Sequence, residues 1–269
     1  MTTICLTGAT DGIGLATTRV LLAAGNRVLV HARSEQRGRP VLDELLAAPD
    51  CRGEAVLVTG DLARPTEVRA LAGQIALAGP VDVLVHNAGV WVRGDIPTRT
   101  EDGLETTFAV NVLAPHLLTI LLADHVRSRL VWLGSGMAGS GRPDPARLGQ
   151  AQDAQRAYAD SKACDVALAV AWSRRRPDLA SAALDPGWVP TKLASSGAPG
   201  RVADSAASLA FCCLPPEEGG ADLGSAPYWK GRKPVALPGR LRDPELCDAI
   251  ARACDELLGL AGSDRPAAG

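Results

Sequence analysis

Tyr158 and Lys162 stand four residues apart in the segment Ala157-Tyr158-Ala159-Asp160-Ser161-Lys162. On a helix that spacing puts both side chains on one face, about one turn apart. A cation beside a phenol favours the phenolate, and a tyrosine tuned this way can give or take a proton near neutral pH. Far upstream, Thr7-Gly8-Ala9-Thr10-Asp11-Gly12-Ile13-Gly14 follows an apolar strand and opens a helical pattern. Gly8, Gly12 and Gly14 permit a tight turn and a close approach of backbone to phosphate, and a helix N-terminus favours the negative charge. Their spacing differs from the general dinucleotide fingerprint, and a strand–helix turn with no ligand is the alternative. A tuned proton donor and a dinucleotide site in one chain point together to hydride transfer.

These residues need a frame that brings them together, and the apolar pattern supplies one. Strands are expected at Ile4–Thr7, Arg27–His31, Ala55–Thr59, Val81–His86, Arg129–Gly134 and Ala180–Leu184, with a last strand near the C-terminus. Helices are expected at Gly12–Ala24, Pro40–Ala48, Thr66–Ala78, Glu101–Asp124, Ala154–Arg175, Val202–Cys212 and Pro244–Leu258. Gly25 is placed to cap the first helix in the left-handed region. Strands alternating with helices imply a parallel sheet covered on both faces, and near-continuously apolar strands suit such a sheet. Ligands of these sheets bind at the carboxyl ends of the strands. Two irregular segments, Ser140–Gln155 and Pro190–Gly200, follow strands, so the substrate site is expected from loops near 136–155 and 187–200. One domain is expected over residues 1–261, with 262–269 a disordered tail.

The bulk properties narrow the function class. The 269 residues suit one large α/β domain, and 46% hydrophobic with 22% charged residues is ordinary for a soluble globular protein. A net charge of −2 favours neither nucleic acid nor an anionic membrane. No apolar stretch has the length of a membrane span, and the first residues read as a strand rather than a signal peptide. Seven scattered cysteines show no zinc-ligand spacing and read as reduced thiols of a cytoplasmic protein. His86, His116 and His125 show no metal-ligand grouping, and no metal is expected. Arg174-Arg175-Arg176 ends a helix, where cations suit the dipole. High Ala, Arg, Gly and Pro content fits a GC-rich bacterial genome and specialised metabolism.

The end of the second strand bears on cofactor choice. An acidic residue there would hydrogen-bond the adenine ribose of NAD. This chain has His31-Ala32-Arg33-Ser34, with its first carboxylate at Glu35. Arg33 can pair with a 2′-phosphate, so NADP is preferred over NAD. Asp11 counts the other way, because an anion in the glycine turn does not help a 2′-phosphate. A solvated surface arginine is the plainer account of Arg33. His31 could brush the adenine ring, but a histidine at a strand end usually means nothing more. Asp61 and Leu62, after the third strand, could contact adenine, or Asp61 could cap the next turn.

At this point the residues resemble a known family, the short-chain dehydrogenases/reductases. The glycine turn, Asp61, Asn87-Ala88-Gly89, Asn111, Ser135, Tyr158 with Lys162, and Pro186-Gly187 with Thr191 come in that family's order. The chain looks most like the retinol-dehydrogenase and protochlorophyllide-reductase-like branch. The Arg33 strand end, the long stretch from Ser135 to Tyr158, and the closing segments Arg242–Leu246 and Asp255–Gly259 carry that likeness. The sequence of the long stretch itself, Arg142–Gln155, resembles nothing assignable.

The resemblance implies a single-domain Rossmann-type fold, a doubly wound parallel sheet with helices on both faces. It implies Tyr158 as general acid in reduction and base in oxidation. Lys162 would tune the tyrosine and hold the nicotinamide ribose, and Ser135 would bond the carbonyl oxygen. Asn111 would hold a water linking Lys162 to solvent, or make a structural hydrogen bond. The cofactor set it implies is Thr7, Gly8, Thr10, Asp11, Gly12, Ile13, Gly14, Arg33, Asp61, Leu62, Asn87, Ala88, Gly89, Tyr158, Lys162, Pro186, Gly187, Val189 and Thr191. The family often pairs through the helices carrying Asn111 and Tyr158, which allows a homodimer or homotetramer. Trp91, Met137, Trp188 and Trp229 are candidates for an apolar substrate pocket, with core packing as the alternative for the tryptophans. The activity expected is a ketoreductase type of oxidoreductase acting on a small apolar or aromatic molecule. A non-catalytic NADP sensor or scaffold, or a reductase of C=N or C=C bonds, are the competing readings.

Overall fold

The computed structural model describes residues 1–94, 98–150, 153–193 and 197–260. The expected tail lies outside the described residues, as do short parts of both irregular segments. Seven strands run parallel: β1 (Thr3–Leu6), β2 (Arg27–Ala32), β3 (Glu54–Thr59), β4 (Val81–His86), β5 (Val126–Leu133), β6 (Ala180–Asp185) and β7 (Tyr228–Lys230). A two-residue strand, β8 (Lys233–Pro234), turns back antiparallel on the edge. The order is β3-β2-β1-β4-β5-β6-β7-β8. It reverses direction between β1 and β4, which opens a crevice at their carboxyl ends.

The helices are α1 (Gly12–Ala23), α2 (Glu35–Ala47), α3 (Pro65–Leu77), α4 (Thr106–Phe108), α5 (Ala114–Leu122), α6 (Ala154–Arg175), α7 (Val202–Cys213) and α8 (Pro244–Leu257). Strand alternation explains the two cores. Ile4, Leu6, Val28, Val30, Val83 and Val85 face α1, α2 and α7. Cys5, Leu29, Leu84, Leu130 and Trp132 face α3, α5, α6 and α8. Each strand therefore spends apolar side chains on both faces, as a sheet covered on both sides requires. No helix among the described residues is long and apolar enough to cross a membrane.

Two helices depart from the expected bounds. The second begins at Glu35 rather than Pro40, and it carries Pro40 inside. The Arg37 and Gly38 N–H groups return to the Ser34 carbonyl and start the helix early. Gly38 then lets α2 lie close on the sheet, since a Cβ there would fall 2.4 Å from Leu57 Cδ1. The long helix expected over Glu101–Asp124 is broken into pieces. Gly103 turns with φ of 79°. Buried Glu105 then caps the new start, accepting from the Thr107 and Phe108 N–H groups at 2.8 and 2.7 Å. A π-helical turn, Ala109–Leu113, separates α4 from α5. Its cause is Pro115, which has no N–H to return to the Asn111 carbonyl four residues back.

Candidate active site

The glycine turn is stitched to the end of β4. Thr7 Oγ1 donates to the Val85 carbonyl at 3.1 Å and accepts from the Asn87 and Ala88 N–H groups at 3.0 and 3.1 Å. Asn87 Nδ2 donates to the Thr7 and Gly8 carbonyls at 2.8 and 3.1 Å. The N–H groups of Asn87 and Ala88 thus hold the turn. The crowding fixes the residue types: a Cβ at Gly14 would lie 2.2 Å from the Gly8 carbonyl oxygen, and one at Gly8 would lie 2.8 Å from Ala88 Cα. Gly8 and Gly12 also take φ of 65° and 52°, which suits glycine alone.

His31 braces the same turn from beneath. Its Nδ1 accepts the Gly8 N–H at 3.0 Å, so the ring hydrogen lies on Nε2, which donates to the Gly60 carbonyl at 2.9 Å. The ring is buried, and burial holds its basicity below the ordinary histidine value despite the Gly60 bond. Both nitrogens are engaged within the protein, which gives His31 a structural role.

Asp11 caps α1, its carboxylate accepting the Gly12 N–H at 2.8 Å. It also forms an ion pair with Lys192, which holds the carboxyl below its ordinary range. The charge in the turn is therefore met by a lysine from the loop after β6. The first turn of a helix leaves N–H groups without intrahelical partners, and in α1 that turn holds Gly12, Ile13 and Gly14. Thr191 packs over it, with its Cγ2 3.4 Å from where a Gly12 Cβ would be. Thr10 is half-buried beside it.

At the end of β2, Arg33 is exposed, and so is Arg37 one turn into α2. Glu35 turns instead to Arg39 at 2.6 Å. Arg37 lies close enough to Asp11 for its charge to be felt there. After β3, Asp61 accepts the Ala63 N–H at 3.0 Å and caps the approach to α3, while Leu62 is buried in the core.

Ser135 follows β5 and starts a short 3₁₀ turn, its Oγ accepting the Met137 N–H at 3.2 Å. That use of the oxygen leaves the hydroxyl hydrogen to be donated. Tyr158 and Lys162 lie on α6, with Lys162 Nζ 5.9 Å from the Tyr158 ring centroid. Lys162 donates to the Leu133 carbonyl and to Asp165, both at 2.8 Å. Burial opposes its charge, but Asp165 and Tyr158 outweigh that and hold Lys162 above the ordinary lysine value. Burial in turn pushes Asp165 up to about 6 against the pull of Lys162.

Asn111, on the π turn, clasps Val90 with both ends of its amide at 2.8 and 2.9 Å and donates to Ser161 at 3.0 Å. Of the two roles expected for it, these are structural bonds. Gly89 lies against this group: a Cβ there would be 3.4 Å from Asn111 Oδ1 and 3.6 Å from Lys162 Nζ. Asn111, Gly89 and Lys162 therefore meet in one place, although they come from three separate elements.

Trp91 stacks on Tyr158, ring centroids 4.8 Å apart and planes 13° apart. Arg93 lies over the Trp91 ring at 4.8 Å and donates to the Leu193 carbonyl at 2.9 Å, joining the loops after β4 and β6. In the β6 loop, Gly187 turns with φ of 84° and its N–H donates to Asp185 at 2.9 Å. The Pro186 carbonyl accepts Ser205 Oγ at 2.6 Å, and Val189 is buried. Trp188 is 59% exposed at the surface of that loop. Trp229 belongs to the core beside Phe211, its Nε1 donating to the Ala226 carbonyl at 2.9 Å. It leaves the expected substrate pocket, whereas Trp91 lies against Tyr158.

Comparison with known proteins settles the family. Residues 2–146 match the model described as short chain dehydrogenase. The chain belongs to the short-chain dehydrogenases. It is 35% identical to an uncharacterized oxidoreductase of Emericella nidulans, over 97% of this chain and 98% of that protein. It is 36% identical to a polyprenol dehydrogenase of Mus musculus, over 70% of this chain and 60% of that one, in keeping with the retinol-dehydrogenase-like branch. Among solved structures, it resembles a short-chain dehydrogenase of Burkholderia cenocepacia in complex with NADP. That likeness has a TM-score of 0.67 and 26% identity, covering 90% of this chain and 98% of the other.

Sequence patterns left two residues beside this dehydrogenase's candidate site silent. Arg37 reads as one more surface charge of a helix until the glycine turn is folded beside it. Asp165 reads as an ordinary helical partner of Lys162, and burial alone reveals what it is.

Proposed function

We propose that this chain is an NADP(H)-dependent oxidoreductase acting on a carbonyl or alcohol of a small apolar or aromatic molecule. The observation that carries this reading is the placement of Tyr158 over Lys162, which reaches the end of β5 and lies against Gly89, next in the chain to the Ala88 that packs on the glycine turn. The nucleotide, when bound, supplies or accepts the hydride. The Ile13 and Gly14 N–H groups would face its phosphates, and Arg33 with Arg37 would meet a 2′-phosphate. Support for NADP over NAD comes from this pair of arginines and from the NADP-bound relative.

In reduction, the Tyr158 hydroxyl gives its proton to the carbonyl oxygen as negative charge develops there. Ser135 donates a hydrogen bond to the same oxygen. In oxidation, the tyrosine oxygen takes the proton from the alcohol. Trp91 gives this centre an apolar wall, which Met137, two residues after Ser135, would extend, and such a wall favours a flat or hydrocarbon substrate over a sugar.

The direct test is fluorescence titration with NADPH and with NADH, followed by a panel of apolar ketones and aldehydes. NADPH should bind more tightly, and Tyr158→Phe should keep that binding while losing at least about a hundredfold in turnover. A Tyr158→Phe variant that turns over like wild type would remove the mechanism. Binding of neither nucleotide would move the chain to the non-catalytic reading.

A further inference from the structure

Lys162 is expected to lend its positive charge to Tyr158, yet its own closest charged contact is elsewhere. Nζ lies 2.8 Å from Asp165 Oδ2 and 2.8 Å from the Leu133 carbonyl, against 5.9 Å from the centre of the tyrosine ring. The lysine and aspartate are 5% and 3% exposed. An isolated carboxylate at such depth is costly, and this one is kept by its pairing. A negative charge on the far side of a cation weakens that cation's field at a third group.

We propose that Asp165 is a positioning residue that holds Lys162 against β5 and offsets part of its charge, so that proton transfer at the Tyr158 hydroxyl works at higher pH than a lone lysine would allow. This rests on the reading of Tyr158 as the acid or base. The groups around the pair are few. On α6 they are Lys162, Tyr158, Asp160 and the Cys164 thiol, and on α8 the Cys254 thiol. Burial pushes both thiols up, Cys164 well above the ordinary value, so they stay neutral where the pair is charged. The π turn contributes neutral Asn111 and β5 contributes the Leu133 carbonyl.

The chain has two tyrosines, so the phenolate absorbance of the nucleotide-free protein is readable residue by residue. Burial pushes Tyr228 up to about 12, and Tyr158→Phe should erase the transition that belongs to Tyr158. Asp165→Asn should move it down by about one pH unit or more, while Asp165→Glu, which keeps the charge, should leave it close to wild type. An unmoved or raised transition in Asp165→Asn overturns the proposal, and Asp165→Ser replaces that variant if the amide does not fold.

Wild type offers a second reading without any substitution. The sequence has four lysines, and carbon-13 NMR of their Cε atoms should show one that stays charged above the ordinary lysine value. Four lysines that all titrate at or below that value would equally overturn it. Neither titration uses cofactor or substrate. A chain that fails to bind NADPH would sink the oxidoreductase reading and leave these results standing.

Discussion

At the scale of single residues, the site is an arrangement of charges that cancel in pairs and leave a remainder. Asp11 is met by Lys192, Glu35 by Arg39, and Asp165 by Lys162. Arg33 and Arg37 are what is left at the end of β2. Arg33→Ala should therefore weaken NADPH roughly ten- to a hundredfold, the worth of a charge-assisted bond, and weaken NADH far less. Equal losses in parallel titrations would take the 2′-phosphate away from Arg33. The sequence announced Tyr158 and Lys162 because their chemistry lies in their types and their spacing. It was silent on Asp165 and on the bracing role of His31, because what those side chains do depends on burial and on partners far along the chain. Gly8, His31 and Gly60 meet only after three strands are assembled.

At the scale of elements, α1 and α6 were plain from their apolar period, and six strands from their continuous apolar runs. Misplacement came where a backbone device overrides the period. Proline rules put the start of α2 too late, since the Ser34 carbonyl and Gly38 set it first. Periodicity ran one helix through Glu101–Asp124, where Gly103, Glu105 and Pro115 break it. The π turn is the consequential break, because it carries Asn111 and its amide grips Val90. Pro115→Ala would return an N–H to the Asn111 carbonyl and let the turn tighten to an α-helix. The expected outcome is a melting temperature within a few degrees of wild type and turnover down by roughly a hundredfold, the cost of an ångström-scale misplacement. Full activity in that variant would show that the π turn does not hold the site.

At the scale of the whole molecule, acid is the expected weakness. His31, His86 and His116 are buried and neutral, and burial pushes each below the ordinary histidine value, His86 to about 3. His116 is built into the joint of α5, α6 and α8, donating to Asp255 at 2.7 Å and accepting Trp172 Nε1 at 3.1 Å. Below about pH 6.5 the unfolded chain binds protons that these folded histidines refuse, in the case of His86 down to about pH 3. Stability is thus whole above about pH 6.5 and drains as pH falls. His86 alone costs on the order of 2 kcal/mol between pH 7 and 5. Asp165, pushed up to about 6, works in the opposite sense and offsets about 1 kcal/mol of this. Melting temperature should fall from pH 7 to pH 5, and a flat or rising profile would contradict the buried neutral state.

The same interior gives the chain a set of natural probes. Six of its seven cysteines are buried, and Cys51 alone is partly open. Their places differ: Cys5 lies mid-sheet, Cys164 on α6, Cys212 and Cys213 on α7, and Cys247 and Cys254 on the buried face of α8. A maleimide applied to the native fold would tag Cys51 first. Each later tag would mark the moment a particular layer parts from the sheet, so pulse labelling followed by peptide mass mapping would chart the order of breathing in this molecule without a single introduced residue.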